Sequence, residues 1–194
     1  MNFNLKQENS TSNQSNSENK VRYQRPGIYD NVKITEIVFG KSSVKQTPYI
    51  QLKTVNNLDE IGNSSRMYLS NTRAEGKQTT AWTITAKNLI NLIISTNNIS
   101  KQDAEAIELV SPGETNPDKA YAQLVNKLSS LLIGKPFRAK FIGEQTKENG
   151  IIYASLDRSE SMSIPASQSY LKFDESKDVK MFTVTAATSN NMPF

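Results

Sequence analysis

The residues of this chain that could do chemistry are rings and cations at strand spacing. Between Tyr49 and Lys53 the types alternate, so an extended chain puts Ile50 and Leu52 on one face and Tyr49, Gln51 and Lys53 on the other. The same split recurs from Arg66 to Ser70, where Met67 and Leu69 oppose Arg66, Tyr68 and Ser70. Paired side by side, such strands would carry an apolar inner face and an outer face of tyrosines mixed with cations. Bases stack on aromatic rings whatever the sequence, and Lys and Arg neutralise phosphates, so this is the surface composition that single-stranded nucleic acid needs. The competing structural reading of Tyr49 and Tyr68 is that they cover the core or a helix.

Further cations fit the same pattern. Phe137, Ala139 and Phe141 alternate with Arg138 and Lys140, which places those two cations on an outer face. With Lys53 and Arg66 they form a set suited to gripping phosphates, against the plain alternative of a solvated strand face. Lys41, Lys45, Arg73 and Lys77 fall in loops that would close over a strand of nucleic acid. Trp82 follows a basic loop, but as the single tryptophan of a small domain it reads as a core anchor before it reads as a stacking residue.

Other chemistries lack their tools. Cys and His are both absent, which removes disulfides, thiolate nucleophiles, imidazole bases and the usual zinc ligands. A nuclease would need several acids converging on a divalent cation. Asp30, Glu36, Asp59, Glu60, Asp103, Glu105 and Glu108 show no compact metal-ligand motif and read as solvated acids. The expectation is a binding protein, not an enzyme, with neither cofactor nor metal.

The totals are compatible with that expectation. In 194 residues, 23 Lys and Arg stand against 19 Asp and Glu, a net charge of +4 that suits a polyanionic partner without demanding one. The length fits one domain with extensions, and 36% hydrophobic content is enough for one core. No run of about 18 apolar residues exists to span a bilayer, and the N-terminus lacks the apolar stretch of a signal peptide. The chain therefore reads as soluble and cytoplasmic, with no membrane partner.

The elements that must position these side chains follow in order. Residues 1–20 are dominated by Asn, Ser, Gln and Thr and read as a disordered arm. Pro26 and Gly27 open a first strand in which Val32 and Ile34 keep one phase, Ile37 and Phe39 the other, so a bulge is expected near Thr35 and Glu36. A basic turn leads to the second strand at Tyr49, and a loop through Asn56, Asn57, Gly62 and Asn63 leads to the third at Arg66. Leu89, Leu92 and Ile93 take helical spacing, and Ser100 caps a short helix. Asn116 and Pro117 open a third helix with an apolar stripe from Ala120 to Leu132, which Gly134 and Pro136 end. Two more strands flank a turn at Asn149 and Gly150.

Three strands, helices, then two strands is the order of a mainly β protein of the OB-fold type, a five-stranded barrel with helices between strands 3 and 4 and a groove across strands 2 and 3. The domain spans residues 21–184, where Leu171, Phe173, Val179, Met181, Phe182 and Val184 suggest a further strand pair or a clasp on the barrel wall. Residues 185–194 form an uncharged tail.

Pro26-Gly27-Ile28-Tyr29, the Gly40-Lys41-Ser42 turn, Pro48-Tyr49-Ile50-Gln51-Leu52 and Leu132-Ile133-Gly134-Lys135 resemble the phage and prophage group of OB-fold single-stranded DNA-binding proteins over roughly residues 25–156. The terminal Asn190-Asn191-Met192-Pro193-Phe194 is similar to the acidic tip ending in Pro-Phe of bacterial single-stranded DNA-binding proteins, with Asn190 and Asn191 standing where acids are expected. The resemblance implies sequence-tolerant binding of single-stranded DNA in phage replication or recombination. It also implies contact with replication or recombination proteins through Met192, Pro193 and Phe194. RNA remains an alternative ligand, because stacking grooves accept either sugar. The alternative from another class is a structural or interaction module, a virion component or replication adaptor, whose outer Tyr and Lys positions form a subunit interface in a homo-oligomer.

Overall fold

The computed structural model describes residues 21–71, 73, 76–146, 151–157 and 171–181. Strand β1 (Gly27–Lys41) is 15 residues long and serves two neighbours. Its buried positions change phase between Ile34 and Ile37, and its register with β2 (Pro48–Val55) shifts between Ile34 and Glu36. That is the bulge implied by the sequence, and it bends the strand. A second irregularity lies between Tyr29 and Val32 in the pairing with β5 (Pro136–Gln145), where Asn31 takes a left-handed φ of 56° that Asn tolerates better than most residues. The first half of β1 thus pairs with β5 and the second half with β2.

The remaining pairings close the circuit. β2 lies antiparallel to β3 (Ile61–Ser64), and β3 runs parallel to β6 (Ile152–Leu156) through Asn63 with Ser155 and Ser64 with Leu156. β6 returns antiparallel to β5. The result is a mainly β, closed barrel of five strands, β1–β2–β3–β6–β5, of OB-like type. Helices α1 (Ala81–Asn97), α2 (Lys101–Glu105) and α3 (Pro117–Leu132) are inserted before the fourth barrel strand.

The third strand departs from expectation. Gly62 and Asn63, read as loop, belong to β3, while Met67 and Tyr68 form a separate short strand, β4, that pairs with Ile50 and Tyr49 at the other end of β2. The reason is that Ile-Gly-Asn-Ser carries almost no apolar alternation. Gly62 is set by crowding: a Cβ there would stand 1.9 Å from Gln24 Oε1 and 2.7 Å from both the Phe141 ring and Thr54 Oγ1.

Barrel and helices share one core. Ile34, Ile50, Leu52, Met67, Phe137, Phe141 and Leu156 meet Leu89, Leu92, Ile93, Leu128 and Leu132, all fully buried. Each such side chain contributes about 1.5–3 kcal/mol. Trp82 packs half-buried against this cluster, as its size suggested, and the stripe of α3 faces inward. Thr80, Ser100 and Asn116 accept hydrogen bonds from the first backbone N–H groups of α1, α2 and α3.

Beyond the barrel, α4 (Glu175–Asp178) and β7 (Val179–Lys180) form the clasp, with β7 parallel to β5 at Gly143 and Glu144. It corrects the reading of Lys140. Lys140 does alternate with Ala139 and Phe141, but its face of β5 is covered, and only 5% of the residue is exposed. Its ammonium lies 3.2 Å from Asp178 and 3.4 Å from Asp157. The backbone N–H of Asp174 donates to Asp178 at 2.8 Å, and this bond, with the Lys140 charge, holds the Asp178 carboxyl below the usual carboxylate range. The expected arm at 1–20, the Asn149–Gly150 turn, Phe182, Val184 and the tail with Met192, Pro193 and Phe194 lie outside the described residues. Among the described residues no helix is long and apolar enough to cross a membrane.

Lys140→Met should cost about 3 kcal/mol of stability, because it leaves two largely covered carboxylates facing each other; an unchanged denaturant midpoint would show that the ammonium contributes nothing. Since the folded-state pKa of Asp178 is depressed, its contribution is present above the ordinary carboxyl pKa and lost as acid carries the pH below about 4. Amide-exchange protection of Val179 should therefore fall on acidification in the native chain and be lower and less sensitive to pH in Asp178→Asn, where Asp174 still titrates.

Candidate nucleic-acid interface

The outer face of β1, β2, β3 and β4 is where the alternation places the rings. Across β2 and β4, Tyr49 and Tyr68 are direct partners, and their rings meet edge to face with centroids 6.0 Å apart at 71°. Arg66, on the connection between β3 and β4, lays its guanidinium carbon 4.6 Å from the centre of the Tyr49 ring. Three of the residues singled out from the sequence thus form one cluster, half-buried at both tyrosines and exposed at Arg66.

Gly40 makes the cluster possible, and sequence reasoning missed it as a site residue. It pairs with Tyr49 across β1 and β2, and a Cβ at Gly40 would stand 2.7 Å from both Cζ and the hydroxyl oxygen of Tyr49. The ring therefore lies across the bare backbone of the glycine. A signal was available in principle, since a glycine facing an aromatic residue across a pair of strands is a recurring arrangement. It required the register, which the turn at Lys41 to Thr47 did not reveal. With Gly40 beneath the ring and Arg66 over it, Tyr49 acts as a platform that orients a guanidinium, and Arg66 and Tyr68 form the layer that meets solvent.

The other cations sort into two groups. Lys53 sits on the same outer face, but its Nζ is 2.7 Å from Glu36 of β1, so the middle of the face is electrically balanced. Arg138 is 3.2 Å from Asp30, with little of its side chain exposed, and Lys140 is buried as described. Neither belongs to the face that holds Tyr49. Lys41 and Lys45, by contrast, are exposed on the turn that continues β1 past Gly40, with Lys41 opposite Pro48 next to Tyr49. Arg73 and Lys77 are exposed on the connection that follows β4. These exposed loop cations add positive charge at the Tyr49 and Tyr68 end, where the ring and guanidinium faces are.

This arrangement can bind flat, weakly polar rings joined by anionic links: the guanidinium and Tyr68 supply stacking surface, and the loop lysines supply screened positive charge. Among the described residues no group of three or more acidic side chains is placed to hold a metal ion. No family model matches the sequence, and no curated protein matches it significantly.

Gly40→Ala should cost about 1–3 kcal/mol by driving the Tyr49 ring from its seat. In a Tyr49→Ala background the same change should cost little, giving a large coupling energy in a double-mutant cycle. Additive losses in denaturant unfolding would show that ring and glycine do not touch in solution.

Proposed function

We propose that this protein binds single-stranded DNA without strong sequence preference, in phage replication or recombination. The observation that carries the reading is the Tyr49–Arg66–Tyr68 cluster on the outer face of β2 and β4 of an OB-like barrel, beside a lysine-bearing turn. Strands two and three of such barrels, with the loop between strands one and two, form the usual ligand face. Arg66 stacks on one base while its charge lies near a phosphate, Tyr68 takes a neighbouring base, and Lys41, Lys45, Arg73 and Lys77 neutralise the backbone. Lys53 contributes less than its position promises, because Glu36 holds its ammonium.

Titration of fluorescent oligo-dT tests this reading. Four backbone contacts predict that the logarithm of affinity falls with the logarithm of salt at a slope of about −3. Arg66→Ala and Tyr68→Ala should each weaken binding by about 1–3 kcal/mol, with Lys53→Ala well below that. Failure to bind oligo-dT at low salt, or binding that ignores salt, would remove the proposal.

A further inference from the structure

The outer face does not end at Lys53. In β2, Tyr49, Gln51, Lys53 and Val55 share one phase, and Val55 pairs with Ile61 of β3. On its other edge Ile61 forms a parallel bridge with Tyr23, fixed by hydrogen bonds of 2.9 Å from Gln24 N to Ile61 O and 2.8 Å from Ile61 N to Arg22 O. Gln24 turns inward, buried against Thr54 and Gly62, so Tyr23 must turn outward. Tyr23 is 69% exposed and Ile61 38% exposed, so an aromatic ring and an aliphatic side chain bridged to each other both reach solvent at this end of the face. Arg22 and Arg25, both exposed, flank Tyr23 in the chain. Tyr49 and Val55 are six residue steps apart along β2, roughly 20 Å at strand spacing.

The geometry points to a second stacking station at Tyr23, at the far end of the face from Arg66 and Tyr68, so that one polynucleotide strand bridges the two across a charge-balanced middle of Gln51, Lys53 and Glu36. This deepens the proposed function and rests on it. A strand stacked at roughly 3.4 Å per nucleotide needs about six nucleotides to span the distance. A short oligonucleotide occupies the Arg66 end alone, where the loop lysines are, and only a longer one reaches Tyr23.

The test is affinity against oligo-dT length, from about three to about twelve nucleotides, for the native chain, Tyr23→Ala and Tyr23→Phe. Tyr23→Ala should leave the shortest oligonucleotides unaffected and weaken the longest by about 5- to 150-fold, with Tyr23→Phe restoring most of the loss. Because the side chain is exposed, the folded state should survive, and an unchanged thermal midpoint checks that. An unchanged length dependence in Tyr23→Ala, with the native chain binding well, overturns the second station and leaves the proposed function standing. Altered self-association of Tyr23→Ala with DNA affinity unchanged at every length also overturns it, assigning Tyr23 to a contact between copies of the chain. Failure of the native chain to bind at any length removes both.

Discussion

The bend in β1 is the constraint from which the rest follows. A single strand pairs with β5 through its first half and with β2 through its second, and it can do so because register slips twice, at Asn31 and between Ile34 and Glu36. Without the slip between Ile34 and Glu36, Val32 and Ile37 could not both face the core, since they lie in opposite phases of a regular strand. The same bend carries Gly40 past the barrel wall and sets it opposite Tyr49. Closure of the barrel and seating of the outer ring cluster are two results of one irregular strand.

A second theme is how the chain uses its cations. An outward-pointing Lys or Arg on a strand is available to a ligand only if no carboxylate reaches it first. Lys140 is held by the clasp and Asp157, Arg138 by Asp30 and Lys53 by Glu36. Arg66 takes a different position, its guanidinium carbon 4.6 Å from the centre of the Tyr49 ring. Lys140 and Arg138, the two least exposed of these cations, are both on β5, whereas Lys53 shares the outer face with Tyr49 and is balanced there by Glu36.

Much of this was legible in the sequence where periodicity was strong. The alternation of Tyr49 to Lys53 set the correct face, the change of phase in β1 marked the bulge, and Asn116-Pro117 with its leucine stripe marked α3, because each signal is local and repeated. β3 was missed because Ile-Gly-Asn-Ser is shaped by what closes on it, chiefly Gln24 and Phe141, and not by its own pattern. Lys140 was misplaced for a related reason: phase tells which way a side chain points but not whether a later segment will cover it. Tyr23 escaped notice because one bridge to Ile61, not a run of alternating residues, decides its orientation.

If the protein binds single-stranded DNA as proposed, the ligand lies on the wall bearing Arg66 and Tyr68 and not on the clasp side. Backbone amide shifts recorded during titration with oligo-dT test that claim most directly. Changes should concentrate at Gly40 to Lys45, Tyr49, Arg66 and Tyr68, with Lys140 and Val179 unmoved. Changes centred on β5 and β7, with the Arg66 region silent, would contradict it.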